Sequence, residues 1–143
     1  MLAAARLVEL PERHDDRGSL TFIEGGQHLP FSIRRVYYLH GTTPGARRGG
    51  HAHRELQQLF VAVAGTFDIE LSDGDDARHF TLARPSVGLY VPQMLWRELD
   101  AFSTDAVCLV LASEHYGEAD YFRDYDDFRN AMLAPHATVK EAE

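Results

Sequence analysis

One cysteine, Cys108, is all the thiol chemistry this chain carries. A lone cysteine excludes an intrachain disulfide and fits a reducing, cytoplasmic setting. No apolar run approaches the ~20 residues that cross a bilayer, so no membrane partner is expected. The first ten residues include Arg6 and Glu9 and lack a long apolar centre, so they do not read as a secretory signal. Basic residues are in deficit, 14 Lys and Arg against 22 Asp and Glu, a net charge of -8. That balance argues against wholesale nucleic-acid binding. Repeats, linkers and low-complexity segments are lacking too. What remains is 143 residues of ordinary globular composition, enough for one domain, 1–143, with its own core.

The pattern along the chain is that of short strands. Residues 5–10 read as an edge strand, Glu12 to Ser19 as a polar turn, Leu20 to Glu24 as a strand and Ile33 to Leu39 as another. Thr42 to Gly50 reads as a loop rich in Gly, Pro and Arg. Gln57 to Ala64 is almost continuously apolar, as for a strand buried on both faces. Phe67, Ile69 and Leu71 alternate with Asp68, Glu70 and Ser72, and Asp73-Gly74 then turns the chain toward a partner strand at about Arg78 to Leu82. Strands follow at Val87 to Val91, Leu95 to Leu99 and Val107 to Ala112. Strand spacing of roughly ten residues predicts an all-β antiparallel sandwich or barrel within residues 5–118. Tyr121, Phe122, Tyr125, Phe128 and Met132 recur at helical spacing. They predict a C-terminal α-helix over about 119–133, with Asp120 in its first turn, Pro135 ending it and a frayed tail at 134–143.

The chemistry concentrates at His51-Ala52-His53. Two histidines two apart in an extended segment face the same way, which suits either a metal site or acid–base chemistry. Arg34, Arg35, Arg47, Arg48 and Arg54 lie near them in sequence, a cluster suited to a small anionic ligand or to a solvated edge. The spacing is Gly45, five residues, His51-x-His53, four residues, Gln58, six residues, Gly65. It resembles the first cupin motif, and Gly88 to Arg97 resembles the second. The resemblance implies a jelly-roll barrel, the double-stranded antiparallel β-helix. In metal-binding cupins a glutamate stands at the position of Gln58 and a histidine at that of Arg97. A guanidinium has no lone pair and repels a cation, so no metal and no other cofactor is expected. The same fixed charge favours an anion or an enolate and keeps a neighbouring histidine neutral, available as a base.

Longer blocks sharpen the resemblance. They are Asp16 to Leu20, Pro30 to Tyr38, Arg48 to His53, Val87 to Val91, Trp96, Val110 to Tyr116 and Asp120 to Phe128. In order and spacing they resemble the sugar 3,4-ketoisomerases, which act on TDP-4-keto-6-deoxyglucose on the way to 3-amino-3,6-dideoxy sugars. The resemblance implies an isomerase in which a base takes the C3 proton, an enediol forms and a proton returns at C4. It implies His51 as the base and His53 as second base, shuttle or orienter. Tyr37, on a neighbouring strand, would bond the sugar, and Arg97 would face it from the opposite wall. Arg48, Arg35 and Arg17 would hold the pyrophosphate, Gln58 would bond a sugar hydroxyl or a histidine, and Trp96 would be core or pocket wall, with pocket wall preferred. Cys108 reads as inert core.

In this family, arginine at the position of Arg97 marks the gluco product and histidine the galacto product. Tyrosine at position 17 accompanies the gluco type and arginine the galacto type. The chain has Arg97 with Arg17, one marker of each. Arg97 is expected closer to the C4 face, which favours TDP-3-keto-6-deoxyglucose. The resemblance also implies a homodimer that exchanges N-terminal strands. A related deoxysugar-nucleotide epimerase, a non-catalytic sugar-nucleotide-binding cupin and a metal-dependent oxygenase cupin are the rival readings.

Overall fold

The computed structural model of the chain describes residues 1–142, with side chains through Ala134. Twelve strands run from β1 to β12 in chain order. They are β1 (Arg6–Glu9), β2 (Glu12–Asp15), β3 (Gly18–Thr21), β4 (Arg35–Leu39), β5 (Arg48–His53), β6 (Gln58–Ala64), β7 (Phe67–Ser72), β8 (Ala77–Leu82), β9 (Val87–Val91), β10 (Trp96–Asp100), β11 (Val107–Ala112) and β12 (Tyr121–Phe122). A helix, α1 (Tyr125–Ala142), follows. One five-stranded sheet has the order β1-β9-β6-β11-β4 and the other β12-β5-β10-β7-β8. All their pairings are antiparallel, as the all-β cupin expectation requires. Among the described residues no helix is long and apolar enough to cross a membrane.

Strand alternation builds three apolar layers. Phe60, Ala62, Leu89, Val91, Cys108 and Val110 meet Phe67, Ile69, Leu71, Leu82, Leu95 and Leu99 between the sheets. The alternate residues Leu59, Val61, Tyr90 and Leu111 face outward, where Leu10, Leu29 and Phe31 cover them. This double coverage is why the run from Gln57 to Ala64 is apolar without alternating. On the outside of the second sheet, Ala52, Trp96 and Phe122 form the seat on which Phe128 of α1 packs. Cys108 is fully buried and its thiol is pushed up to about 12 by burial, consistent with inert core.

Three expectations change. The polar segment at Glu12 to Ser19 is a hairpin, β2 against β3, with Asp15 opposite Gly18. Its side chains are nearly all exposed, so no apolar period announced it. The loop before the histidines ends early, because β5 starts at Arg48. Gly49 permits this. Its φ is +87°, and a Cβ there would sit 2.9 Å from the Arg97 carbonyl oxygen, at a break in the β5–β10 register. A side chain at this position would push apart the two strands that carry His51 and Arg97.

The third change concerns the helix, which starts at Tyr125 instead of about 119. Glu118–Asp120 is a single 3-10 turn, and Tyr121–Phe122 pairs with β5 as an added strand. Asp120 is drawn away by two backbone N–H groups of the β5–β6 connection, described below. The backbone remains helical through Pro135 to Ala142. Pro135 therefore does not end the helix, and the backbone of the expected frayed tail is helical as far as Ala142; side chains beyond Ala134, and Glu143 altogether, lie outside the described residues.

Candidate active site

The site is assembled from the inward rows of β4, β5, β6 and β10. On β5, His51 and His53 face the interior while Ala52 between them faces α1. On β10, Arg97 stands directly opposite His51 in the register. On β4, Arg35, Tyr37 and Leu39 turn inward while Val36 and Tyr38 are exposed. These rows enclose a cavity of about 300 Å³ lined by Arg35, Tyr37, Arg48, His51, Arg97, Tyr116 and Tyr121, with Leu39, Phe60 and Leu99 as its apolar floor. That is the lower end of the size range for small-molecule sites, with polar groups converging over an apolar floor.

Burial and a fixed positive charge set the electrostatics. Arg97 is 1% exposed. Burial lowers its pKa to about 10, which still leaves it cationic at neutral pH. One terminal nitrogen donates to Gln58 Oε1 and the other to the Leu95 carbonyl at 3.0 Å. Gln58 Nε2 in turn donates to the Tyr37 hydroxyl at 2.9 Å. Burial pushes the Tyr37 phenol above its usual range. His51 is driven down to about 4, first by burial and then by Arg97. His53 is driven down to about 2 by the same two causes in the same order, with His51 third. Both imidazoles are therefore neutral at pH 7.

His53 is held from behind. Its Nδ1 lies 3.0 Å from Asp120 Oδ2. Asp120 also accepts from the backbone N–H of Glu55 at 2.7 Å and of Leu56 at 3.3 Å. An ionised carboxylate only accepts, so Nδ1 carries the hydrogen and Nε2 carries the lone pair. Among the described residues that buried Nε2 has no hydrogen-bond partner. The His53 ring stands 4.9 Å from that of His51 and 4.4 Å from that of Tyr121. A neutral base facing a cavity, beside a fixed guanidinium and across from a phenol, is suited to removing a proton next to a carbonyl.

A family model described as FdtA: WxcM-like, C-terminal matches residues 3–133. An enzyme named TDP-4-oxo-6-deoxy-alpha-D-glucose-3,4-oxoisomerase, from Aneurinibacillus thermoaerophilus, is 47% identical over 124 residues, 87% of this chain and 89% of that protein. The chain belongs to the sugar 3,4-ketoisomerase family. Its scaffold is shared with solved members. One is a histidine-to-asparagine mutant of the 3,4-ketoisomerase QdtA from Thermoanaerobacterium thermosaccharolyticum, in complex with TDP-4-keto-6-deoxyglucose. It is 39% identical with a TM-score of 0.89, covering 92% of this chain and 96% of that one. Another is the TDP-quinovose 3,4-ketoisomerase WlaRB from Campylobacter jejuni, 42% identical with a TM-score of 0.85, covering 89% and 98%.

Within this isomerase the structure brings most of the expected residues to one place. His51, Tyr37, Arg97, Arg48 and Arg35 line the cavity, with His53 and Gln58 buried against it. Two walls exchange places. Tyr37 is on the facing sheet, not a neighbouring strand, and Arg97 is on the strand beside His51, not the opposite wall. Gln58 is 1% exposed, and both ends of its amide are occupied by Arg97 and Tyr37. Trp96 is not pocket wall. It follows from strand alternation that Trp96 points away when Arg97 points in. It packs under α1, its ring 5.2 Å from that of Tyr125. Arg17 sits at the tip of the exposed β2–β3 hairpin, bonded to Asp15 at 2.7 Å, and does not reach this cavity within the chain.

The arginine cluster divides. Arg35 and Arg48 face the cavity, whereas Arg34 and Arg47 pair with Glu114 and Glu98 at 3.6 Å each. Arg54 caps the Ala119 and Tyr121 carbonyls and lies 3.8 Å from the Phe122 ring centroid. Three residues of the site escaped the sequence reading: Asp120, Tyr116 and Tyr121. Tyr116 donates to Glu118 at 2.6 Å, and Glu118 is also bonded by Arg123, whose guanidinium lies 4.1 Å over Tyr121. What brings them in is the pairing of Tyr121 with His53, and the helical spacing of the aromatics concealed it.

Proposed function

We propose that the protein moves the ketone of TDP-4-keto-6-deoxyglucose from C4 to C3 without a metal, giving TDP-3-keto-6-deoxyglucose. The observation that carries this reading is the neutral, cavity-facing His51 set directly across from the buried Arg97 cation. His51 takes the proton from C3, and the electrons of that bond become the C3–C4 double bond while charge moves to O4. Arg97 and the Tyr37 hydroxyl stabilise that oxygen. O4 takes up a proton as O3 gives up its own, which leaves no net change, His51 returns the carbon-bound proton at C4, and the C3 carbonyl with a C4 hydroxyl results. His53, held by Asp120, keeps His51 in place as an orienter. Arg48 and Arg35 take the pyrophosphate. The donor chemistry supports a metal-free site, since the Gln58 oxygen is already given to a guanidinium.

The gluco configuration is favoured because Arg97 stands beside the base and because a relative named for quinovose, a 6-deoxyglucose, is 42% identical. A C3 ketone is the functional group that an aminotransferase consumes, consistent with a 3-amino-3,6-dideoxy sugar route in the cytoplasm. The working unit in this reading is a homodimer that exchanges N-terminal strands. Strand β1 pairs with β9, and exchange would remake that same pairing between copies. The expected test outcome is specific. Incubation with TDP-4-keto-6-deoxyglucose, followed by proton NMR, yields a C3 ketone with a large H4–H5 coupling, unaffected by chelator. Inversion at C5, or loss of turnover on chelation, would reject the reading in favour of the epimerase or the metal-dependent cupin.

A further inference from the structure

Gln58 lies behind the cavity wall, yet it is bonded to two residues that form that wall. Arginine only donates hydrogen bonds, so the Gln58 oxygen must face Arg97. The amide nitrogen must then face Tyr37, 2.9 Å away. The opposite arrangement would set two donors against each other in a buried place with nothing to accept. Since the amide nitrogen donates, the Tyr37 oxygen accepts. Among the described residues that hydroxyl has no other hydrogen-bond partner, and Tyr37 lines the cavity. Its single hydrogen is left for whatever the cavity holds.

We propose that Gln58 is a positioning residue: Arg97 fixes its amide, the amide commits the Tyr37 hydroxyl to donating, and that hydrogen meets the substrate oxygen that becomes negative. The assignment rests on the ketoisomerase reading for its catalytic part. It makes Gln58 a selector of hydrogen-bond direction and not a contact of the sugar. It also accounts for an amide at this place, because a carboxylate of the same shape would bind Arg97 at least as well. A carboxylate, however, only accepts. The Tyr37 hydrogen would then turn backward to residue 58 and be lost to the substrate.

The experiment is therefore Gln58→Glu, Tyr37→Phe and the double variant, with kcat and KM measured for each. Loss of one oxyanion donor costs about 10²–10³ in kcat. Gln58→Glu should lose about that much with KM nearly unchanged, and the double variant should be no slower than Tyr37→Phe alone. Losses that multiply would overturn the proposal. A second readout needs no turnover. With ¹³Cζ-labelled tyrosine in the ligand-free protein, and the Tyr37 signal assigned by its absence in Tyr37→Phe, Gln58→Glu should move that signal downfield as the phenol begins to donate to a carboxylate. An unmoved signal would also overturn it. If Gln58→Glu does not fold, Gln58→Met removes both bonds at similar volume. A smaller loss, again not multiplying with Tyr37→Phe, is then expected, and multiplying losses count against the proposal. Should the wild type leave the ketone in place, the reaction reading fails, while the ligand-free signal still decides the direction of the amide.

Discussion

The two ends of the barrel interior are built from the same strands and filled in opposite ways. The inward row of β6 runs Gln58, Phe60, Ala62, and that of β10 runs Arg97, Leu99. At one end the row is polar and faces a cavity. At the other, Phe67, Ile69, Leu99 and Phe102 close the space with side chains almost free of solvent. The rings of Phe67 and Phe102 stack at 5.3 Å. The apolar end returns its burial as stability, about 1.5–3 kcal/mol for each large side chain. At the polar end, His51, His53 and Arg97 are all driven toward their neutral forms by burial. That arrangement costs stability and yields reactivity.

The contrast can be broken most severely at the polar end. His51→Asn should lower turnover by about 10²–10⁴-fold, the usual worth of a general base, with little change in thermal midpoint; a variant that unfolds instead would place His51 among the structural residues. At the closed end Phe67→Ala should cost about 3–5 kcal/mol in urea denaturation while sparing kcat per folded molecule. Filling the polar end, by Arg97→Met together with Gln58→Leu, should leave stability unchanged or raised by about 1–4 kcal/mol and stop turnover. A large loss of stability would mean that the polar network holds the barrel together.

Acid sharpens the same comparison. His51 and His53 have folded-state pKa values of about 4 and about 2 against an ordinary 6.5. Both shifts are downward, so the unfolded chain binds the extra protons. The stability contribution is complete above about 6.5 and is lost as pH falls, down to about 4 for His51 and about 2 for His53. Urea midpoints should therefore decline from about pH 6.5 downward, and His53→Gln should flatten the decline. The smallest effect belongs to the exposed hairpin. Arg17→Tyr should change stability by less than about 0.5 kcal/mol, and in the NMR assay it reports whether that marker influences the product at C4.

Much of this was legible because β-structure repeats every second residue. The barrel strands from Val87 to Val91 and Val107 to Ala112 stand as read. His-x-His fixed a shared face, and Arg97 was found by motif spacing alone. What the sequence concealed was two-dimensional. Which sheet carries Tyr37 depends on pairing order, not on neighbourhood along the chain. Trp96 and Arg97 are adjacent in sequence yet lie on opposite sides of β10, and only the inward direction of one decides the other. Asp120 looked like a helix-start residue because the aromatics after it keep a helical period. Its real partners, His53 and the backbone of Glu55 and Leu56, lie more than sixty residues back.

The claim on which the account turns is that His51 removes the C3 proton and does so as a neutral base of lowered pKa. The direct measurement is the rate of C3 hydrogen exchange of TDP-4-keto-6-deoxyglucose in heavy water, followed by NMR from acid to neutral pH. Exchange should fall away only as pH approaches about 4, disappear in His51→Asn and be slowed without change of midpoint in Tyr37→Phe. Exchange that persists in His51→Asn, or that titrates near an unperturbed histidine value of about 6.5, would contradict it.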